Sequence, residues 1–177
     1  RQNLPEANET VQLIKKILKE RKNNETFGVI TFNVNQMNLI EELIEKEKMT
    51  DTDFAIKISA EEKRQDDGQN VGFFVKNIET VQGDERDIII FCIGYAKDER
   101  GRVNINFGTL NQDGGENRLN VAISRAKQKI YVITSIEPEE LEVDSTKNDG
   151  PKLFKEYLRY VKAISDGNRE LSKNIFI

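Results

Sequence analysis

Two arginines in the second half of the chain are the first residues whose spacing suggests chemistry. Arg118 and Arg125 lie seven positions apart in the segment 117–127. Seven residues are close to two helical turns, so a helix would carry both guanidinium groups on one face, with Leu119 and Ala122 towards the core. Two guanidinium forks match the oxygens of a polyphosphate. An exposed basic face with surface salt bridges explains the same pattern equally well.

A compact polar turn at 81–87 is the second candidate, because it leads directly into the apolar run 87–93. The glycine at Gly83 would let the backbone approach a ligand closely. Gln82 and Glu85 would bond to hydroxyl or phosphate groups there. The alternative interpretation is an ordinary turn with a charged rim in front of a strand.

The third candidate follows the β-rich run 27–32, where a tight loop at 33–35 precedes a predicted helix. Asn33, Asn35 and Gln36 present amide groups that suit sugar or phosphate contacts. The alternative role for Asn35 is that of the N-cap residue of the helix.

Helical and strand-like patterns alternate along the chain and predict an α/β sandwich around a mostly parallel sheet. The run 87–93 is continuously apolar, as in a strand buried on both faces. Polar stretches at 61–70 and 94–116 predict loops, the second being too polar to build core. Ligands of open α/β sheets bind at the carboxyl ends of strands, so we expect the site there. The predicted helices are 4–18, 37–44, 117–127 and 153–164, and the predicted strands are 27–32, 54–58, 72–75, 87–93 and 129–134.

Composition excludes several classes of site. The chain has no histidine and a single cysteine, Cys92, which rules out Cys/His zinc sites, Ser-His-Asp and Cys-His catalysis, and an internal disulfide. The net charge is 27 − 31 = −4, which argues against a basic coat for nucleic acid, although a local groove can still be positive. No apolar stretch suits a membrane span or a signal peptide. We therefore expect a cytoplasmic protein with no membrane partner.

Taken in order, the three candidate segments resemble the C-terminal motor domain of superfamily 1 helicases, in the Upf-like branch. Residues 30–36 resemble motif IV, 79–87 motif V and 117–127 motif VI. The string 118–126 is highly specific when a Gln-Gly-x-Glu lies upstream. The similarity covers roughly 4–135 and implies a RecA-like three-layer sandwich with a mostly parallel central sheet.

The resemblance also implies roles at a nucleotide site. Arg125 would be the arginine finger that reaches the γ-phosphate across the cleft, and loss of such a finger typically costs ~10³–10⁵ in rate. Glu85 would accept a hydrogen bond from the ribose, and Gly83 would allow the close approach. Gln82 would couple the nucleotide site to the nucleic-acid track. Arg118, at the start of motif VI, would organise the cleft by pairing with an acidic partner.

Nucleic-acid contacts follow from the same resemblance. Thr31 and Thr80 would contact the backbone of a single strand, together with Asn33 or Asn35. The segment 94–115 is longer than in the decay-factor helicases and is similar to that of large bacterial and archaeal helicases of unassigned role. That similarity favours DNA over RNA as the bound single strand.

No phosphate loop of the Gly-x-x-x-x-Gly-Lys-Ser/Thr kind is present in the sequence, nor a paired-acid magnesium motif. We therefore expect the chain to be part of a longer protein, inactive alone, whose N-terminal RecA-like domain holds most of the contacts to ATP and Mg²⁺. The predicted organisation is a motor domain at 1–136, an acidic linker at 137–150 and a helix at 151–177 that leads to a further region.

Two other functions compete with the helicase interpretation. A non-catalytic nucleic-acid or protein interaction module would keep the fold without the motor, although it leaves the joint presence of Arg125, Glu85 and Gln82 unexplained. A metal-dependent nuclease would need clustered carboxylates such as Asp84, Glu85 and Asp87. Those three carboxylates alternate into a strand and cannot all face one metal ion.

Overall fold

The computed structural model describes residues 2–22, 24–97, 101, 103 and 107–167. The chain divides into two compact units. The first unit comprises Arg1–Gly94 and Val121–Thr134, and the second comprises Tyr95–Asn120 and Ser135–Ile177. Both units therefore combine segments that are distant in the sequence.

Five α-helices and six strands are formed by the described residues. The helices are α1 (Leu4–Glu20), α2 (Val34–Thr50), α3 (Thr52–Glu62), α4 (Gly115–Ile123) and α5 (Gly150–Ser165). The strands are β1 (Phe27–Thr31), β2 (Gln65–Asp66), β3 (Gln69–Asn70), β4 (Val75–Asn77), β5 (Arg86–Cys92) and β6 (Ala126–Ile133). Short 3₁₀ turns occupy Gly108–Asn111 and Pro138–Glu140. None of the helices in this described part has the length and apolar character that spanning a bilayer requires.

Four strands form the central sheet of the first unit, in the order β4-β1-β5-β6, and every neighbouring pair is parallel. The central strand β5 is buried on both faces from Ile88 to Cys92, which explains its unbroken apolar sequence. Helices flank this sheet. The predicted α/β fold, a RecA-like arrangement around a parallel central sheet, is confirmed.

One hydrophobic core joins α1, α2 and α3 to a face of the sheet. Asn3, Asn33 and Asp51 begin the three helices, and the side chain of each accepts a hydrogen bond from a backbone N–H of the first turn, as N-cap residues do. The apolar faces of the helices then meet the inward side chains of β1 and β5. Members of this core include Ala7, Val11, Ile14, Val29, Ile40, Phe54, Ile58 and Ile90.

The strand predicted at 54–58 is wrong, because this segment lies in α3. Phe54 and Ile58, four residues apart, are buried on one side of the helix, whereas Ile56 is 67% exposed. The alternating apolar pattern came from this exposed isoleucine. The strand predicted at 72–75 is displaced, since β4 begins at Val75. The polar stretch 61–70 holds the end of α3 and the exposed hairpin β2-β3.

The helix predicted at 117–127 ends early, at Ile123. Ser124 Oγ and Arg125 Nε both donate to the carbonyl oxygen of Val121, at 2.8 and 3.0 Å, so side chains occupy an acceptor that a continuing helix would use. Arg125 lies in a turn and Ala126 begins β6. The prediction that one helix face carries both Arg118 and Arg125 is therefore wrong.

The second unit has an aromatic centre of its own. The ring of Tyr95 lies edge-on to Phe107 and to Phe154, with centroids 6.0 and 6.1 Å away. Leu110 is also fully buried, so the expectation that 94–116 contributes no core is wrong.

The acidic segment 137–150 is packed rather than extended. Leu141 and Val143 are buried, and Asn148 Nδ2 donates to the carbonyl oxygen of Asn111 at 2.6 Å. These contacts do not favour a free linker. The boundaries at 136 and 150 stay predictions.

Candidate functional site

The structure brings Glu85 and Arg125 together at the amino edge of the central sheet, where β5 and β6 begin. The backbone N–H of Arg86 donates to the carbonyl oxygen of Arg125 at 3.0 Å. Glu85 Oε1 lies 3.8 Å from a terminal nitrogen of the Arg125 guanidinium. A predicted ribose contact and the predicted arginine finger are therefore neighbours in space.

The Arg125 guanidinium is held on the side away from Glu85. Its Nε donates to the Val121 carbonyl and a terminal nitrogen donates to Ser124 Oγ, both at 3.0 Å. The Arg125 side chain is only 16% exposed, whereas that of Glu85 is 50% exposed. The site thus offers an oriented cation beside a carboxylate that reaches solvent. An anionic ligand would compete with Glu85 for this cation.

A β-bulge lies beside this pair. Arg86 pairs with Ala126 and Ile88 pairs with Lys129, so β6 contains one residue more than β5 over the same length. Bulges redirect side chains and are common next to functional sites. The extra length brings Gln128 to Asp87, with Nε2 donating to Oδ1 at 2.9 Å.

Asp87 anchors the amino edge from the other side. Burial alone would raise the pKa of Asp87, but hydrogen bonds from the backbone and hydroxyl of Thr26, with that from Gln128, hold the pKa below its ordinary value. Both Thr26 bonds to Oδ2 measure 2.8 Å. Asp87 is thus a structural carboxylate that joins the starts of β1, β5 and β6.

The turn before β5 leaves open space around its glycine. Gly83 has φ +88°, and a Cβ placed there would meet nothing within 4 Å. Gln82 is exposed. Asp84 ties the turn to β4 through an ion pair of 2.5 Å with Lys76. The backbone at Gly83 therefore has open space beside it, and its approach to a ligand stays a prediction.

Thr31 and Asn33 lie at the opposite, carboxyl edge of the sheet. Thr31 is fully buried, and its hydroxyl donates to the carbonyl oxygen of Asn33 at 3.0 Å. This burial does not favour the predicted contact of Thr31 with a single strand. Asn33 caps α2, with Oδ1 accepting from the backbone N–H of Gln36 at 2.8 Å. The N-cap role considered for Asn35 is therefore wrong, and the predicted loop 33–35 is the start of the helix.

Thr80 and Asn35 are the exposed candidates on this carboxyl-edge side. Thr80 belongs to the turn that follows β4, where its backbone N–H donates to the carbonyl oxygen of Asn77 at 3.0 Å. The next residue after Asn77, Ile78, donates its N–H to the carbonyl oxygen of Thr31 at 2.8 Å. The predicted nucleic-acid residues thus lie on neighbouring strand ends, away from the edge that carries Glu85.

A buried polar network at the carboxyl edge was missed by the sequence interpretation. Glu6 is 3% exposed, and its Oε2 accepts from the backbone N–H of Gly94 at 2.7 Å. Gln36 is fully buried and binds Asn3 through both ends of its amide, so the sequence interpretation of this amide as one presented to sugar or phosphate is wrong. Burial raises the pKa of the adjacent Cys92 thiol to about 11. The sequence signal for this network is the spacing of Asn3 and Glu6, which is typical of an N-cap residue and an acid in the first helical turn. Here the side chain of that acid is buried.

Arg118 belongs to the second unit, where it contacts backbone oxygens. A terminal nitrogen lies 3.2 Å from the Asp113 carbonyl oxygen and 3.4 Å from that of Thr109. The acidic partner predicted for Arg118 is not among the described residues that it contacts. These two hydrogen bonds fix the loop that precedes α4.

Among the described residues, no group of three or more Asp, Glu or Cys side chains is arranged to hold a metal ion. Asp84 pairs with Lys76, Asp87 binds Thr26, and Glu85 faces Arg125. The nuclease alternative therefore has no candidate metal centre in this part of the chain.

Comparison with known proteins gives one family and two relatives. The AAA domain family matches residues 1–137. The chain is 42% identical over 168 residues to an uncharacterized ATP-dependent helicase of Mycoplasma genitalium, and 41% identical over 169 residues to its homologue in Mycoplasma pneumoniae. Each alignment covers 95% of this chain but 14% of the relative, so the chain spans a small part of those proteins. The chain thus belongs to the AAA domain family, through a segment that includes the whole first unit.

Proposed function

We propose that the chain is the C-terminal RecA-like motor domain of an ATP-dependent superfamily 1 helicase of the Upf-like branch. The parallel α/β fold, the AAA domain family and the names of the two Mycoplasma relatives support helicase function at a coarse level. The order of the three candidate segments supports the finer assignment.

The observation that carries this proposal is the juxtaposition of Glu85 and Arg125 at the amino edge of the sheet. Arg125 acts as the arginine finger, because a guanidinium already fixed by Val121 and Ser124 needs little reorganisation to meet a γ-phosphate. Glu85 accepts a hydrogen bond from the ribose. In the free chain, the two side chains satisfy each other until nucleotide separates them.

The other partners follow from what this edge supplies. It provides a guanidinium, a carboxylate and an open glycine turn, so Mg²⁺ and the β-phosphate contacts come mainly from an N-terminal RecA-like domain of the same protein. Gln82 couples the nucleotide site to the carboxyl edge of the sheet. There Thr80, Asn33 and Asn35 contact the backbone of a single strand, which we propose is DNA rather than RNA.

The test is single-strand-stimulated ATP hydrolysis by the full-length protein. Arg125→Ala is expected to lower kcat by roughly 10³-fold or more while nucleotide binding is retained. Arg125→Lys keeps the charge but not the fork, and should recover only part of this loss. Arg159→Ala removes another partly exposed guanidinium, from the second unit, and is the control expected to retain turnover.

Unchanged turnover in Arg125→Ala would overturn the motor assignment. The non-catalytic interaction module would then be favoured, since it keeps the fold without needing a finger.

A further inference from the structure

Arg86 is an unusual residue for the first position of a central strand, because its charged side chain is only 4% exposed. Buried charges are normally paired with an opposite charge. Arg86 has no carboxylate within ion-pair distance among the described residues, although Asp84 and Asp87 lie on either side in sequence. Its hydrogen bonds go to backbone oxygens instead.

The guanidinium of Arg86 joins two separate backbone segments. Nε and one terminal nitrogen both donate to the carbonyl oxygen of Gly72, at 2.9 and 2.7 Å. The other terminal nitrogen donates to the carbonyl oxygen of Glu85 at 2.7 Å. The Phe74 ring covers the guanidinium, whose central carbon lies 5.0 Å from the ring centroid. Such contacts fix a planar cation in one orientation.

The backbone of Arg86 reaches the other half of the candidate site. Its N–H donates to the carbonyl oxygen of Arg125 at 3.0 Å. Arg86 therefore binds both members of the Glu85–Arg125 pair. Its side chain binds the carbonyl oxygen of Glu85, and its backbone N–H binds that of Arg125. The β-bulge follows this position directly, since the pairing of β5 with β6 shifts register between Arg86 and Ile88.

We propose that Arg86 is a positioning residue that sets the separation and direction of Glu85 and Arg125 for nucleotide. The inference rests on the proposed function of that pair. By holding the Glu85 carbonyl, the side chain fixes the backbone from which the carboxylate extends. Misplacement of a contacting group by about 1 Å can cost on the order of 100-fold in rate.

The test uses the full-length protein with Arg86→Met, which keeps length and apolar packing but removes the charge and all donors. Every variant except proline keeps the backbone N–H, so the substitution isolates the side chain. We expect kcat for ATP hydrolysis to fall on the order of 10- to 100-fold, with a smaller change in KM. Arg86→Lys should recover part of the loss, because one ammonium can still reach one of the two carbonyls.

Arg21→Met is the matched control, because it makes the same change at another largely buried arginine. The central carbon of the Arg21 guanidinium lies 5.4 Å from the centroid of the Phe27 ring, but this guanidinium pairs with Glu61 and not with Glu85 or the backbone of Arg125. Turnover of Arg21→Met should stay within about twofold of the wild type. If Arg21→Met and Arg86→Met lose the same activity, the loss reflects removal of any buried arginine and the inference is overturned.

A double substitution separates positioning from general stability. If Arg86 acts through Arg125, adding Arg86→Met to Arg125→Ala should cause little further loss of kcat. If the two fold-losses multiply fully, the inference is overturned. Should Arg86→Met not fold, the same comparison applies to Arg86→Lys. If Arg125→Ala is inactive and Arg86→Met is fully active, this inference is overturned and the proposed function stands. If Arg125→Ala is active, the proposed function is overturned.

Discussion

Gln36 and Asn3 bind each other through both ends of one amide group. Gln36 Oε1 accepts from the backbone N–H of Asn3 at 2.7 Å, and Nε2 donates to the carbonyl oxygen of Asn3 at 2.9 Å. Nε2 also lies 3.3 Å from the sulfur of Cys92. Because Asn3 precedes α1 and Gln36 lies in the first turn of α2, the amide fastens the starts of two helices beside the end of β5.

Gln36→Glu is expected to destabilise the chain, because a carboxylate cannot donate to the Asn3 carbonyl and would lie buried near the acid of Glu6. A buried polar group left without its partner costs roughly 1–3 kcal/mol, and more when it is charged. The measurement is the free energy of unfolding by urea at neutral pH. Asn38→Asp makes the same amide-to-acid change at an exposed position of α2 and should cost less than about 0.5 kcal/mol. Equal losses in the two variants would contradict the role given to Gln36.

Glu61 gives stability a predictable dependence on pH. Burial alone would raise the pKa of Glu61, but the hydrogen bond and charge of Arg21, assisted by Arg64, hold the pKa below its ordinary value of 4.5. Arg21 donates to Oε2 at 2.8 Å. A carboxyl whose folded pKa is depressed stabilises the fold fully above its unfolded pKa, and this stabilisation is lost as pH falls through the folded value.

Glu61→Gln should therefore cost about 1–3 kcal/mol between neutral pH and about pH 5. The difference in unfolding free energy between Glu61→Gln and wild type should then shrink as the pH falls below 4.5, because the protonated Glu61 carboxyl of the wild type is neutral like the glutamine amide. Urea unfolding across this pH range measures it, with the exposed Glu20→Gln as the control. A difference that stays constant down to the lowest pH would refute the assignment.

The strands β1 and β5 were predictable from the sequence because burial on both faces leaves a continuous apolar run, as in 87–93. The helix α3 was not predictable in this way. Its apolar residue Ile56 is exposed, and together with the buried Phe54 and Ile58 it produces the alternating pattern of a strand. The early end of α4 depends on side chains bonding to the Val121 carbonyl, which no apolar pattern records.

The candidate site shows a different limit of sequence interpretation. Motif resemblance selected Glu85 and Arg125, and the structure finds them adjacent. The rule that ligands bind at the carboxyl ends of strands does not lead to this pair, which precedes β5 and β6. Arg86 was passed over because a charged residue in front of a strand is usually solvent-exposed, and its burial depends on Gly72 and Phe74, which are distant in sequence.

Thr80 and Thr31 should differ in their effects on single-strand binding. Thr80 is exposed, and its hydroxyl, which donates to the Asn77 carbonyl oxygen at 3.3 Å, can still accept a hydrogen bond. Thr80→Val should therefore weaken affinity by roughly 2- to 10-fold, the worth of one hydrogen bond. Thr31 is buried with its hydroxyl bonded to Asn33, so Thr31→Val should lower the unfolding free energy by about 1 kcal/mol and leave affinity nearly unchanged.

The measurement for this pair is fluorescence anisotropy of the full-length protein with a labelled oligodeoxynucleotide, repeated with the ribonucleotide of the same sequence. A loss of affinity in Thr31→Val equal to that in Thr80→Val would show that Thr31 does reach the strand. Tighter binding of the ribonucleotide would contradict the preference for DNA.

Substitution of Gly83 can distinguish an effect on ligand contact from an effect of backbone strain. Gly83 and Gly68 have positive φ values of +88° and +76°, and a Cβ at either position would meet nothing within 4 Å. Alanine at either should therefore cost a similar amount of stability, about 1 kcal/mol. If nucleotide approaches the turn before β5, Gly83→Ala should in addition raise the KM of the full-length protein for ATP several-fold, whereas Gly68→Ala, in the hairpin β2-β3, should not. Equal KM values in the two variants would mean that no nucleotide comes within a methyl group of this turn, and the ribose assigned to Glu85 would then have to be sought elsewhere.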